Sequence, residues 1–303
     1  MTSAAIVAEG LVKRYGAATA LRGLDLEVGR GEVFGLIGPN GAGKTTAMRI
    51  MLDIVRPTAG TVRVLGDDPR EGGAALRRRV GYLPGELRLE GRARVGELLE
   101  HLARLSGPVA PGAIERLAER LGLDLGRRVG SLSKGNKQKL GLVQAFMHEP
   151  ELLILDEPTS GLDPLVQQEF IALVREAKES GRTVFLSSHV LGEIEQAADR
   201  VGILDRGELV RVGTLDEVRV GRQRHVRATV GSAPGLRDAL AALERTRDLR
   251  IDERDGEARL SLVVEGDVDH LVKALSRFEV RDLLIEEPEL TDAVIGYYRG
   301  EAK

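Results

Sequence analysis

The chain has 303 residues, which suits two domains better than one. Hydrophobic residues make up 42% and charged residues 30%, enough for a packed core and inconsistent with a mostly disordered chain. A net charge of −3, from 44 Lys and Arg against 47 Asp and Glu, argues against bulk nucleic-acid binding, and the absence of Cys excludes disulfides and thiol chemistry and fits a cytosolic setting.

The start, Met1-Thr2-Ser3-Ala4-Ala5, lacks a charged segment followed by an apolar signal core, and no apolar run reaches the length of a membrane span. Short strands are expected at Ile6–Val12, Leu24–Val28 and Val33–Ile37. A helix over Ala47–Leu52 and a strand over Thr61–Gly66 follow. From 95 to 147 the pattern changes. Leu98, Leu99, Leu102 and Leu105, then Ile114, Leu117 and Leu121, recur at helical spacing and predict a helical insertion. Strands return at Glu151–Leu155 and Thr183–Ser187, flanking a helix over 164–180 that opens on Pro164. Strands alternating with helices predict a mostly parallel sheet covered on both faces. Residues 199–210 read as two strands around an Arg-Gly turn.

Near residue 220 the pattern restarts. Strand His225–Val230, helix Leu236–Leu243, strands Leu249–Glu253 and Ala258–Val264, helix Val268–Phe278 and strand Val280–Glu286 give the order β-α-β-β-α-β. That order predicts a small ferredoxin-like α+β domain, closed by a helix over Thr291–Arg299. The expected domains are therefore 1–220, with a helical part at about 86–150, and 221–303.

The phosphate-binding pattern lies early. Gly38-Pro39-Asn40-Gly41-Ala42-Gly43-Lys44-Thr45-Thr46 fits Gly, four residues, Gly-Lys-Ser/Thr, between an apolar strand and a helix. Glycines let successive N–H groups converge on phosphate oxygens, and the helix N-terminus adds partial positive charge. Lys44 is expected to reach the β- and γ-phosphates of a nucleotide, and the Thr45 hydroxyl to hold Mg2+. Leu152-Leu153-Ile154-Leu155-Asp156-Glu157 is an apolar strand ending in two carboxylates. In an open parallel sheet ligands bind beyond the strands' carboxyl ends, which sets both acids beside the phosphate loop. Asp156 is expected to hold Mg2+ and Glu157 to orient the attacking water.

A third motif, Ser131-Leu132-Ser133-Lys134-Gly135-Asn136-Lys137-Gln138, precedes these acids. With it, residues 6 to about 220 resemble the ATP-binding-cassette ATPases in several ordered motifs. The resemblance implies a P-loop cassette with an N-terminal antiparallel β subdomain and a helical subdomain, hydrolysing ATP with Mg2+. It makes the third motif the signature loop, in which the Ser133 hydroxyl and the Gly135 amide meet the γ-phosphate bound by a second cassette. It makes Ser160-Gly161-Leu162-Asp163 the D-loop, His189 the switch histidine after Ser187-Ser188, and Tyr15, in Lys13-Arg14-Tyr15-Gly16, the aromatic that stacks on adenine. It implies a homodimer or a pair of similar cassettes closing on ATP, held to the inner face of the cell membrane by a separate permease. The C-terminal domain resembles the tail of cassettes serving ABC-2-type exporters, as a regulatory or dimer-stabilising module or a merely solvated one.

Two departures stand out. The signature carries Lys134 and Asn136 where Gly and Gln are commonest, with Ser133 and Gly135 retained. In the Q-loop-like Val80–Glu86 the glutamine position holds Gly85, so either a contact is absent or Glu86 substitutes through water. Alternative readings are an importer subunit, a weakly hydrolysing nucleotide-dependent regulator, and a soluble cassette acting on ribosomes or DNA. The last usually carries two cassettes in one chain, or a long coiled coil between the first two motifs. This chain has one cassette and only Thr46–Ser131 between them.

Overall fold

Alternation sets the first strands. In β2 (Ala18–Gly29) Leu24, Leu26 and Val28 are buried while Asp25 and Glu27 face water. It pairs antiparallel with β1 (Ala4–Tyr15) about a turn in which Gly16 takes a positive φ. The computed structural model describes residues 4–87, 89–188, 190–218, 223–231, 234–243, 245–254 and 256–286. The chain next enters β3 (Val33–Ile37) and α1 (Lys44–Met51). It then returns through β4 (Ala59–Val64) to the free edge of β1, giving a three-stranded sheet of order β2-β1-β4.

Helix α2 (Pro69–Arg78) and strand β5 (Val80–Leu83) lead to a helical segment of α3 (Val95–Ser106), α4 (Ala113–Arg120) and α5 (Lys134–Phe146). Strand and helix then alternate: β6 (Leu152–Asp156), α6 (Pro164–Glu179), β7 (Thr183–Ser188), α7 (Leu191–Ala197). Strands β8 (Arg200–Asp205) and β9 (Glu208–Thr214) precede a single turn, α8 (Leu215–Val218). The second sheet has the order β5-β6-β7-β3-β8-β9, parallel except for the β8–β9 hairpin. Every residue of β3, β6 and β7 is buried, as expected for strands covered on both faces. Phe34 and Phe185, on adjacent strands, stack with ring centroids 5.7 Å apart. Each ring's burial is worth about 1.5–3 kcal/mol. Because β6, β7 and β3 are consecutive parallel strands in register, Asp156, Ser187 and the start of the phosphate loop emerge side by side at their C-terminal ends.

The chain divides into two compact units, Met1–Leu215 and Asp216–Lys303. In the second, β10 (Gln223–Gly231), α9 (Leu236–Ala241), β11 (Thr246–Arg254), β12 (Glu257–Glu265), α10 (Asp269–Leu275) and β13 (Val280–Glu286) form an antiparallel sheet of order β11-β12-β10-β13. Val226, Ala228 and Val230 of β10 and Ala258, Leu260, Leu262 and Val264 of β12 cluster with Leu236, Leu240, Leu271 and Leu275 of the two helices. The helix expected over 291–299 lies outside the described residues.

Helices α2 and α7 were not legible from periodicity. Helix α2 buries only Pro69 and Leu76 and is kinked at Gly73, whose φ is +50°. Its cap was the available signal: the Asp68 carboxylate accepts the Arg70 N–H at 2.9 Å, directly ahead of Pro69. Helix α7 has seven residues and buries only Glu193 and Ile194, too few for a period to show.

Candidate nucleotide site

Two of the phosphate loop's glycines sit where neighbours leave no room, and the third, Gly41, takes a φ of +85° in open space. A Cβ on Gly38 would lie 2.5 Å from the Leu204 carbonyl oxygen, and one on Gly43, where φ is +113°, 2.6 Å from that of Ala20. The Ala42 N–H donates to the Pro39 carbonyl at 3.1 Å, and the Gly207 N–H to that of Ala42 at 2.9 Å, which ties the loop to the β8–β9 turn. Pro39, Asn40 and Gly41 form its exposed rim, while Thr45 and Thr46 are half-buried in the first turn of α1.

Lys44 is 6% exposed. Its Nζ donates to the Gly38 carbonyl at 2.5 Å and to the Pro39 carbonyl at 3.4 Å, and lies 3.4 Å from Glu157 Oε1. The cation rests on these two loop carbonyls, and γ-phosphate oxygens would compete with them for it. Asp156 is 1% exposed with both oxygens engaged. Thr45 Oγ1 donates to Oδ2 at 2.7 Å, and Ser187 Oγ to Oδ1 at 2.7 Å. A hydroxyl and a carboxylate in contact at a phosphate loop are hard oxygen donors, the set that fits Mg2+ completed by phosphate and water. Among the described residues, no group of three or more His, Cys, Asp and Glu side chains could hold an ion. Gly85 lies against the same carboxylate: a Cβ there would be 3.1 Å from Asp156 Oδ2, so a side chain at 85 would enter this space. Tyr82, one strand over, titrates above its ordinary value because it is buried and because Asp156 is close.

Glu157 follows in an unusual backbone state, with φ at +50°. Its N–H donates to the Ser187 carbonyl at 3.2 Å and to Ser187 Oγ at 3.1 Å. Its carbonyl accepts from Gln138 Nε2 at 3.1 Å. Sequence reasoning missed this residue's part in the site. The signal was a polar side chain on the apolar face of α5, in step with Gly141, Leu142 and Ala145. Glu193 was missed too. Its buried carboxylate accepts from Thr159 Oγ1 at 2.6 Å and Ser188 Oγ at 3.1 Å, joining the loop after Glu157 to the end of β7. His189 lies outside the described residues.

Ser133 caps α5, its Oγ accepting from the Asn136 backbone N–H at 3.3 Å and side-chain amide at 3.1 Å. Among the described residues, the turn it opens meets Ser160–Gly161 and not the phosphate loop. Asp163 caps α6, accepting the Val166 N–H at 3.1 Å, with Lys139 Nζ 4.0 Å away. Tyr15 stands at the β1–β2 turn, 47% exposed, with Lys13 Nζ 4.9 Å from its ring centre.

A parallel sheet carrying this loop, with paired acids at the end of a strand one removed from it and a helical insertion between the two in sequence, defines a P-loop ATPase cassette. Comparison with known proteins specifies the family. The profile described as ABC transporter matches residues 21–160. The chain is 38% identical over 258 residues to the bacitracin transport ATP-binding protein BcrA of Enterococcus faecalis, covering 84% of this chain and 83% of that protein. It is 37% identical over 306 residues to the daunorubicin resistance ATP-binding protein DrrA3 of Streptomyces coeruleorubidus, covering 97% and 96%. A solved structure described as the ATP-binding subunit of an ABC transporter superposes with a TM-score of 0.66 at 33% identity, over 71% of this chain and 91% of that one. The chain belongs to the ABC transporter family, among its ATP-binding, ATP-hydrolysing subunits.

Proposed function

We propose that this chain powers a membrane exporter, hydrolysing ATP between two cassettes to move a separately encoded permease. The observation that carries the reading is the convergence of Lys44, Thr45, Asp156 and Glu157, with Lys44 3.4 Å from Glu157 and Thr45 2.7 Å from Asp156. Lys44 and the N–H groups of Gly41, Gly43, Lys44 and Thr45 bind the β- and γ-phosphates. Thr45 and Asp156 hold Mg2+, which when bound offsets phosphate charge. Glu157 orients a water in line with the γ-phosphate and accepts its proton, with His189 stabilising the charge that builds there. Tyr15 stacks on the adenine. Ser133 and Gly135 of a second copy close over the γ-phosphate, with Asp163 of its D-loop alongside. ADP lacks the γ-phosphate, so hydrolysis loosens the pair. Export is supported by relatives named for bacitracin transport and daunorubicin resistance that align along most of this chain. Among the described residues no helix is long and apolar enough to cross a membrane, so the membrane path falls to the permease, which would hold this subunit at the inner membrane face.

Purification of the tagged chain from its native cells in mild detergent tests the proposal. A polytopic membrane protein at near-equal ratio is the expected partner. Ribosomal or chromosomal partners with no membrane protein would overturn the transporter assignment and leave the ATPase chemistry.

A further inference from the structure

We propose that Gln138 is a positioning residue that fastens the signature helix to the backbone of Glu157, so that the seating of α5 sets the carboxylate of the same chain. The inference rests on the ATPase reading above and extends it to a residue outside the reacting groups. Gln138 is 3% exposed, in the second turn of α5. Its Nε2 donates to the Glu157 carbonyl at 3.1 Å and to the Pro158 carbonyl at 2.9 Å. A side-chain amide has two N–H donors, and both are spent on consecutive peptides of one loop.

That loop needs holding. Glu157 has φ at +50°, a left-handed state disfavoured for any residue with a Cβ and kept only where surroundings enforce it. The enforcement comes from two sides. Ser187 of β7 takes the Glu157 N–H, and Gln138 of α5 supports its C=O. Removing the amide leaves the carbonyl without that donor and lets the peptide turn toward an ordinary φ, swinging the carboxylate away from Lys44. Two further contacts join α5 to the same loop. Lys134 Nζ donates to Ser160 Oγ at 3.0 Å. Gly135 approaches the loop so closely that a Cβ on it would lie 2.6 Å from the Gly161 carbonyl oxygen. The first two turns of α5 and the loop from Glu157 to Gly161 therefore move together. A ligand that seats Ser133 and Gly135 acts on Glu157 through Gln138.

The test uses the purified full chain, with phosphate release and ATP titration measured for wild type, Gln138→Leu, Glu157→Gln and the double variant. Gln138→Met, which keeps side-chain length without the donors, serves if Gln138→Leu does not fold. The expected result is a kcat lower by about a hundredfold with KM and ATP affinity within about twofold of wild type. In the Glu157→Gln background the same change should add little, because Gln138 acts through that carboxylate. Wild-type kcat in Gln138→Leu beside a slow Glu157→Gln overturns this proposal and leaves the ATPase reading intact. A change confined to KM, or a full additional loss in the double variant, overturns it as well. Equal turnover of wild type and Glu157→Gln overturns the water-positioning role and this proposal with it.

Discussion

At the scale of single residues, the site is a set of charges held by short side chains. Asp156 is locked by two hydroxyls, Thr45 below the phosphate loop and Ser187 on the next strand. Glu157 differs by being held through its backbone, which leaves its carboxylate beside Lys44. Its replacement by Gln keeps size and polarity but removes the proposed proton acceptor. Glu157→Gln is expected to bind ATP normally and to dimerise on it, with turnover lowered by about 10²-fold or more, read by phosphate release and light scattering. Lys44→Ala removes the buried cation proposed to meet the phosphates. ATP affinity should fall at least about tenfold, the value of a hydrogen bond to a charged group, in a fluorescent-nucleotide titration. The convergence of Lys44, Thr45, Asp156 and Glu157 was expected from the sequence, because phosphate and Mg2+ chemistry demand few residue types at fixed places. Gln138, Ser187 and Glu193 were not, because each acts across a gap of 19 to 34 residues that no local pattern reports.

At the scale of elements, local physics did most of the work in the cassette. Strands β3 and β6 announced themselves as apolar runs, β7 by Val184-Phe185-Leu186 between hydroxyl residues, and α6 by Pro164 behind Asp163. Asp163 therefore has a structural job besides any part in closing over ATP. Asp163→Ala should cost about 1 kcal/mol through loss of the cap, while Asp163→Asn caps equally well and should leave the melting temperature unchanged. A loss of turnover in Asp163→Asn at constant stability would isolate the charge. The α4–α6 contact belongs to this scale too. Arg120 reaches both Glu169 and Glu176 of α6, at 2.5 Å and 2.6 Å, bracing the helical segment against the helix behind β6. These groups are partly exposed, so the brace is salt-sensitive and of small net value. Nothing in either helix's own pattern shows it, since the partners are 49 and 56 residues apart.

At the scale of the whole molecule, stability should depend on pH through a histidine outside the site. Burial pushes His148, just after α5, below its ordinary value of 6.5, partly offset by the backbone of Val80 and Gln144. A base whose folded value is depressed stays neutral in the native state while the unfolded chain takes up a proton. Its contribution is therefore complete above about pH 6.5 and is lost as pH falls from there toward the folded value. The melting temperature of the nucleotide-free chain should drop between pH 7.5 and 5.5. His148→Gln should flatten that part of the profile, because it removes the titrating group. Glu151 and Glu176, both held below the usual carboxylate range by arginines, add losses only at lower pH.

The amino-acid sequence by itself determined the phosphate loop, the acid pair, the parallel sheet and the β-α-β-β-α-β order of the second unit, because each is a local pattern of size, polarity and backbone freedom. Tertiary structure alone decided the strand order β5-β6-β7-β3-β8-β9, which brings Asp156 beside Thr45 across 111 residues. It alone decided the left-handed backbone of Glu157 and the buried amide that supports it. Such a state is unfavourable for an isolated peptide, so no local propensity encodes it. It exists because strand β7 and helix α5 take up its N–H and C=O from opposite sides.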